Sequence, residues 1–147
     1  MYARAMNADI DHVVLWVRDP VRSAEFYRDV VGLEPLRVAE FQAKAVPFPS
    51  VRLSERTVFD LAPLEMATPL NGMGRKVGLT VDAAGHPVHH VCLAMTHADF
   101  DALRERVKQA GLATFALKEG FGARGRAPDA FYFHDLDQNV LEARYYE

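Results

Sequence analysis

Four side chains suited to holding a divalent ion or moving protons sit at comparable points of extended segments. His12 opens HVVLWV, His90 opens HVCLAM, Asp60 lies in RTVFDL and Glu142 in NVLEARYY. Two imidazoles and a carboxylate can grip a divalent metal from one side and leave positions open for water or substrate. His12, His90 and Glu142 are the triad these spacings suggest. His12 and His90 are 78 residues apart, so this is no compact metal motif, and the fold must bring the ligands together. The plainer alternative is that the histidines satisfy local hydrogen bonds and Glu142 reaches solvent or pairs with Arg144. Asp60 is a weaker ligand candidate, because it could equally support another ligand or pair with Arg52.

The elements that would position these groups form a repeat. IDHVVLWV (10–17) alternates as a strand with Val13, Leu15 and Val17 on one face and His12, Val14 and Trp16 on the other. Asp19-Pro20 then starts a helix with an apolar stripe of Ala24, Phe26, Tyr27, Val30 and Val31, closed by Gly32. The second pass has the same order. VHHVCLAM (88–95) puts Val91, Leu93 and Met95 opposite His90, Cys92 and Ala94, and a helix with Phe100, Leu103, Val107 and Ala110 on one side ends at Gly111. Gly32 and Gly111 are 79 residues apart, so element order, length and capping repeat together.

Each helix is followed by extended segments: 36–43, 50–53 and 56–61, then 113–118, 130–134 and 139–146. The expected fold class is therefore α+β. Two βαβββ modules, about 8–62 and 86–147, are joined by a linker (63–85), in which 76–81 could add a short strand, and form a curved, barrel-like sheet around a cavity within a single domain. One helix covers one face of each sheet and leaves the other face to line that cavity. On the last strand Leu141, Ala143 and Tyr145 face the helix, which sends Glu142 and Arg144 into the cavity beside His90. Asp60 takes the same side of its sheet. Trp16, Phe131 and Phe133 are assigned to an apolar cavity wall, with ordinary core packing as the alternative. Arg124 and Arg144 are candidate contacts for an anionic substrate; the alternative for Arg124 and Arg126 is a solvated loop. GFGARG lacks the order of a phosphate-binding loop. His89 points away from His90, and His86, His97 and His134 lie near strand ends.

Bulk properties narrow the function classes. The 147 residues are half hydrophobic and one-quarter charged, which supplies a sizeable core. A net charge of −3 gives no electrostatic reason to expect nucleic acid. No apolar run approaches the roughly 18 residues that span a bilayer. The first residues make a poor secretory signal, and the lone Cys92 reads as an inert buried thiol of a cytoplasmic protein. Small size and sheet edges favour a homodimer.

IDHVVLWVRDPVRSAEFYRDVVGLE, HHVCLAMTHADFDALRERVKQAGL and the closing FYFHDLDQNVLEARYY resemble the vicinal-oxygen-chelate superfamily of glyoxalase, bleomycin-resistance, fosfomycin-resistance and extradiol-dioxygenase proteins. The resemblance runs from about residue 10 to residue 146; the closing turn reads DLDQN where the family more often has DPDGN. It implies that His12, His90 and Glu142 occupy metal-ligand positions, and that Asp60 matches the fourth protein ligand of glyoxalase-like members. It implies one divalent ion per site (Fe2+, Mn2+, Zn2+ or Ni2+) and a small oxygen-rich or aromatic substrate. The chemistry implied is of lyase, isomerase or dioxygenase type, with Glu142 and Asp60 as its catalytic carboxylates. A metal-free module that sequesters an aromatic antibiotic and a fosfomycin-resistance-like transferase are the rival functions within the same resemblance.

Overall fold

A computed structural model of the chain describes residues 10, 12–76, 78, 80, 88, 90–122 and 124–147. The first module runs β1 (His12–Val17), α1 (Pro20–Phe26) with a π-helical continuation (Tyr27–Val31), β2 (Glu34–Leu36), α2 (Val38–Gln42), β3 (Ser50–Arg52) and β4 (Val58–Pro63). A 3-10 turn (Leu64–Met66) and α3 (Ala67–Lys76) follow. The second module runs β5 (Val91–Ala94), α4 (His97–Gln109), β6 (Phe115–Leu117), the hairpin β7 (Gly120–Gly122) and β8 (Gly125–Ala127), β9 (Asp129–His134) and β10 (Val140–Tyr145). The sheet orders β1-β4-β3-β2 and β5-β10-β9-β6 are the same arrangement twice, each with one parallel pair, β1 with β4 and β5 with β10. No ladder joins the two sheets among the described residues, so they stand as two mixed sheets rather than a closed barrel.

Local chemistry accounts for the helices. The Asp19 side chain accepts from Arg22 N at 3.1 Å and Pro20 occupies the first turn, where its missing N–H costs nothing. Thr96 Oγ1 likewise accepts from Asp99 N at 3.2 Å, and Asp99 and Arg106 with Lys108 match the α4 dipole at its two ends. Gly32 is required twice over. Its φ is +88°, and an added Cβ would meet Arg106 Nη2 at 3.0 Å. Arg106 uses that space to donate to the Val30 and Val31 carbonyls, at 2.8 and 3.1 Å, which ties α4 to the π-helical turn.

The helix-facing sets converge into one core shared by both modules. Leu15, Val17, Phe59 and Leu61 pack with Tyr27 from the first, and Phe100, Leu103, Leu141 and Ala143 from the second. A second tie between modules is polar. Asp135, 1% exposed, accepts from Tyr27 Oη at 2.8 Å across the interface and from the backbone and side chain of its own turn. Asn139 Nδ2 reaches the Trp16 carbonyl at 3.2 Å, and Arg18 clasps Asp137 at 3.0 Å.

Three expectations are corrected. The segment 36–43 is extended only to Leu36; Arg37 takes a left-handed backbone (φ +61°) and turns the chain into α2. The segment after Pro63 carries α3 despite Pro69, Gly72 and Gly74, and Lys76, the proposed start of a short strand, is its last residue. Phe131 and Phe133 do not line a cavity. In an antiparallel pair, directly opposed residues share a face, and these oppose Ala143 and Leu141. Phe131 is 1% exposed and meets Phe100 of α4 edge-on at 5.2 Å. Tyr132, opposite Glu142, shares the helix-free face instead. His86 and His89 lie outside the described residues. No helix among the described residues is long and apolar enough to cross a membrane.

Candidate functional site

The helix-free face of the second sheet gathers the reactive groups. β5 and β10 run parallel with Cys92 opposite Glu142, and β9 brings Tyr132 opposite Glu142 from the other side. His90 sits just before β5, and its Nε2 lies 3.3 Å from Glu142 Oε2. The other carboxylate oxygen, Oε1, accepts from Arg144 Nη2 at 2.5 Å and Nε at 3.2 Å. Arg144 also donates through Nη1 to the Gly120 carbonyl at 3.3 Å, so the β7–β8 hairpin closes over it. Glu142 is 1% exposed and Arg144 4%, making this a buried ion pair with a histidine at its free side. Burial works against the charged guanidinium, but the hydrogen bonds to Glu142 and Tyr146 outweigh it and hold Arg144 above its ordinary pKa.

Aromatic groups frame this cluster. The Tyr132 ring meets His90 edge-on at 5.4 Å, and Phe115, 66% exposed, lies 6.1 Å from Tyr132. Burial first, then the Glu142 charge and hydrogen bond, raises the Tyr132 phenol above its usual range, so it stays protonated at neutral pH. Arg124 stacks over Tyr146 at 4.5 Å. Cys92 is exposed rather than buried, yet withdrawal of its thiol from water and the Glu142 charge push it up to about 11. A thiol so seldom ionised is a poor nucleophile.

The first module repeats this layout in register. Val14 of β1 pairs with Asp60 of β4 as Cys92 of β5 pairs with Glu142 of β10, so Asp60 and Glu142 occupy equivalent positions. His12 precedes Val14 by two residues, as His90 precedes Cys92. Asp60 is also arginine-paired. Its Oδ1 accepts from Ser50 Oγ at 2.6 Å and lies 3.5 Å from Arg37 Nη2, which donates to Ser50 Oγ as well. Arg52, the partner considered from sequence, donates instead to the Ser54 carbonyl at 3.1 Å. Trp16 follows the His12 phase and pairs with Ala62.

The second-module donors suit a divalent ion. Two neighbouring ligands each about 2.1 Å from one ion stand about 3 Å apart, and His90 Nε2 and Glu142 Oε2 stand 3.3 Å apart. Among the described residues no three His, Cys, Asp or Glu side chains converge on one point. His12 therefore does not complete the His90–Glu142 pair within this chain. A cleft of about 440 Å3 lies between the modules, lined by Val13, Phe59, Leu93 and Leu103 and also by Cys92, the strand partner of Glu142; His90 and Glu142 do not themselves line it.

Comparison with known proteins places the architecture. Residues 11–133 match the family model described as the Glyoxalase/Bleomycin resistance protein/Dioxygenase superfamily. The chain belongs to that superfamily. The matched span covers both modules and stops before β10, so it does not include Glu142 or Arg144. Among solved structures, an integron cassette protein from the mobile metagenome of V. cholerae is 20% identical over 97% of this chain and 98% of its own, with a TM-score of 0.63. The lactoylglutathione lyase of Agrobacterium tumefaciens is 17% identical over 95% of each chain, with a TM-score of 0.63. Oxidase ChaP-H2 is 20% identical over 95% of this chain and 94% of its own, with a TM-score of 0.60. No protein of curated function matches the sequence.

For a member of this superfamily, the distribution of the expected site residues is uneven. His90, Glu142 and Arg144 come together, with Arg124 nearby through Tyr146. His12, Trp16 and Asp60 share the equivalent face of the other module. Tyr132, Ser50 and Arg37 were not anticipated. Tyr132 could have been found by placing β9 against β10; Arg37 and Ser50 carry no local signal, since only folding brings them to Asp60.

Proposed function

We propose that the chain is a divalent-metal-dependent enzyme acting on a small oxygen-rich or aromatic metabolite, with oxygenase-type chemistry the best fit. The observation that carries this reading is the 3.3 Å approach of His90 Nε2 to Glu142 Oε2 on the helix-free face. His12, at the equivalent position of the first module, would be the third ligand, supplied by a second copy of the chain in a homodimer. The ion, when bound, would polarise substrate oxygens as a Lewis acid and, as iron(II), would support dioxygen chemistry.

The protein's own groups favour that branch. Asp60 Oδ1 is held by Ser50 and Arg37, so Asp60, like Glu142, could offer an ion only its other oxygen. A two-histidine, one-carboxylate set keeps positions open for substrate and dioxygen, whereas a fourth carboxylate would favour the isomerase or lyase reaction. Phe115 and Tyr132 offer rings against which an aromatic substrate can stack. Arg124 could meet an acidic substituent, but an arginine spread over Tyr146 is a poor clamp for a phosphonate, which weakens the transferase reading.

One observation favours a second reading, a metal-free binding module: Arg144 already neutralises Glu142. Oxygen uptake by iron(II)-loaded protein across a panel of catechols separates the two. Turnover is expected for the wild type, with a loss of at least about 100-fold in His90→Ala, as removal of a first-sphere group implies. Catechol binding by calorimetry that is indifferent to iron(II) and to His90→Ala, without oxygen uptake, would favour the binding module.

A further inference from the structure

We infer that Arg144 is a positioning residue that confines Glu142 to one-oxygen ligation and, as a resident cation, keeps divalent-ion binding weak and exchangeable. The inference rests on the metal-binding reading above.

The geometry divides the carboxylate. Both contacts from Arg144, Nη2 at 2.5 Å and Nε at 3.2 Å, fall on Oε1, while Oε2 alone faces His90 Nε2. A guanidinium usually spreads its two donors over both oxygens of a carboxylate. Here one oxygen carries the whole interaction. An ion approaching between His90 and Glu142 meets a carboxylate whose second oxygen is taken and whose charge is already balanced. The arginine cannot easily turn away, because its Nη1 is held by the Gly120 carbonyl at 3.3 Å and its side chain is 5% exposed. A charge within about 4–6 Å shifts a carboxyl's proton equilibrium by about one to three decades, and a cation beside the site disfavours a second cation in the same sense. The arrangement is also built twice: at the register-equivalent position Asp60 has Arg37 and Ser50 on one oxygen, Oδ1.

Calorimetric titration of the full-length protein with Mn2+ and with Zn2+ tests this. Arg144→Gln is expected to bind at least about tenfold more tightly than wild type, by the like-charge shift above. Arg144→Lys, which keeps the cation, should stay within about threefold of wild type. A folded Arg144→Gln protein that binds no more tightly, or more weakly, would overturn the inference and leave metal binding itself standing. Absence of binding in wild type and both variants would instead overturn the metal-binding reading and the inference with it. Should Arg144→Gln not fold, the wild type carries the test by NMR. The Arg144 Nε–H resonance should move in step with Zn2+ occupancy while that of Arg106, bonded to the Val30 carbonyl, stays still. An Arg144 resonance unmoved at saturating Zn2+ would overturn the inference.

Discussion

Asp135→Ala is expected to destabilise the protein by about 3–5 kcal/mol, or roughly 10 °C in Tm. Asp135 is 1% exposed and accepts four hydrogen bonds: from Tyr27 Oη at 2.8 Å, Asp137 N at 2.8 Å, Asn139 N at 2.9 Å and Asn139 Nδ2 at 2.8 Å. Alanine leaves these donors without their acceptor. It also loosens the turn that leads into β10, the strand of Glu142. Urea unfolding measures the loss; a change under 1 kcal/mol would show that water replaces the carboxylate without cost. Tyr27→Phe removes only one of the four donors and should cost about 1 kcal/mol at neutral pH. Burial, followed by the Asp135 charge and hydrogen bond, holds the Tyr27 phenol well above its ordinary 10.0. The folded phenol keeps its proton more tightly than the unfolded one. Its contribution is therefore complete below about pH 10 and is lost as pH rises toward the folded-state value. The gap between wild type and Tyr27→Phe should narrow over that range.

The second large effect is expected from Glu142→Ala, at about 3–5 kcal/mol. Arg144 is 4% exposed, and with Glu142 gone its guanidinium would stay buried opposite no carboxylate. The pair itself contributes far less than its breakage costs, because two charges were taken out of water to form it. Replacing both partners, Glu142→Leu with Arg144→Met, should thus recover stability to within about 1–2 kcal/mol of wild type. The double-mutant cycle by urea unfolding reads this coupling. Additive losses in the double variant would show that packing, not the unpaired charge, sets the cost.

What was legible in the sequence follows from physical range. The two histidine strands and their helices could be read because period-2 alternation, a capping residue and a closing glycine are local signals, and they recur at nearly constant spacing. Glu142 was legible because Leu141, Ala143 and Tyr145 fix the phase of its strand. The DAFYFH strand gave no such lead. It carries aromatics on both phases, and only its pairing with β10 decides that Phe131 and Phe133 face α4 while Tyr132 faces Glu142. The five-residue α2 was hidden for another reason: it is entered through a left-handed Arg37, a conformation no side-chain pattern announces. α3 was masked by Pro69, Gly72 and Gly74, whose propensities oppose a helix that forms nonetheless. The arginine pairing of both carboxylates was the least legible. For Asp60 it spans 23 residues and for Glu142 it was one of several alternatives.

A shared site requires that His12 of one copy join His90 and Glu142 of another around a single ion. Cobalt(II) titration of His12→Ala protein, His90→Ala protein and a mixture refolded together answers this. Neither variant alone should bind the ion. In the mixture, each heterodimer regains one intact site, so about one-quarter of wild-type capacity should return for random two-fold pairing. Unimpaired cobalt binding by either single variant, or none recovered on mixing, would contradict the shared site.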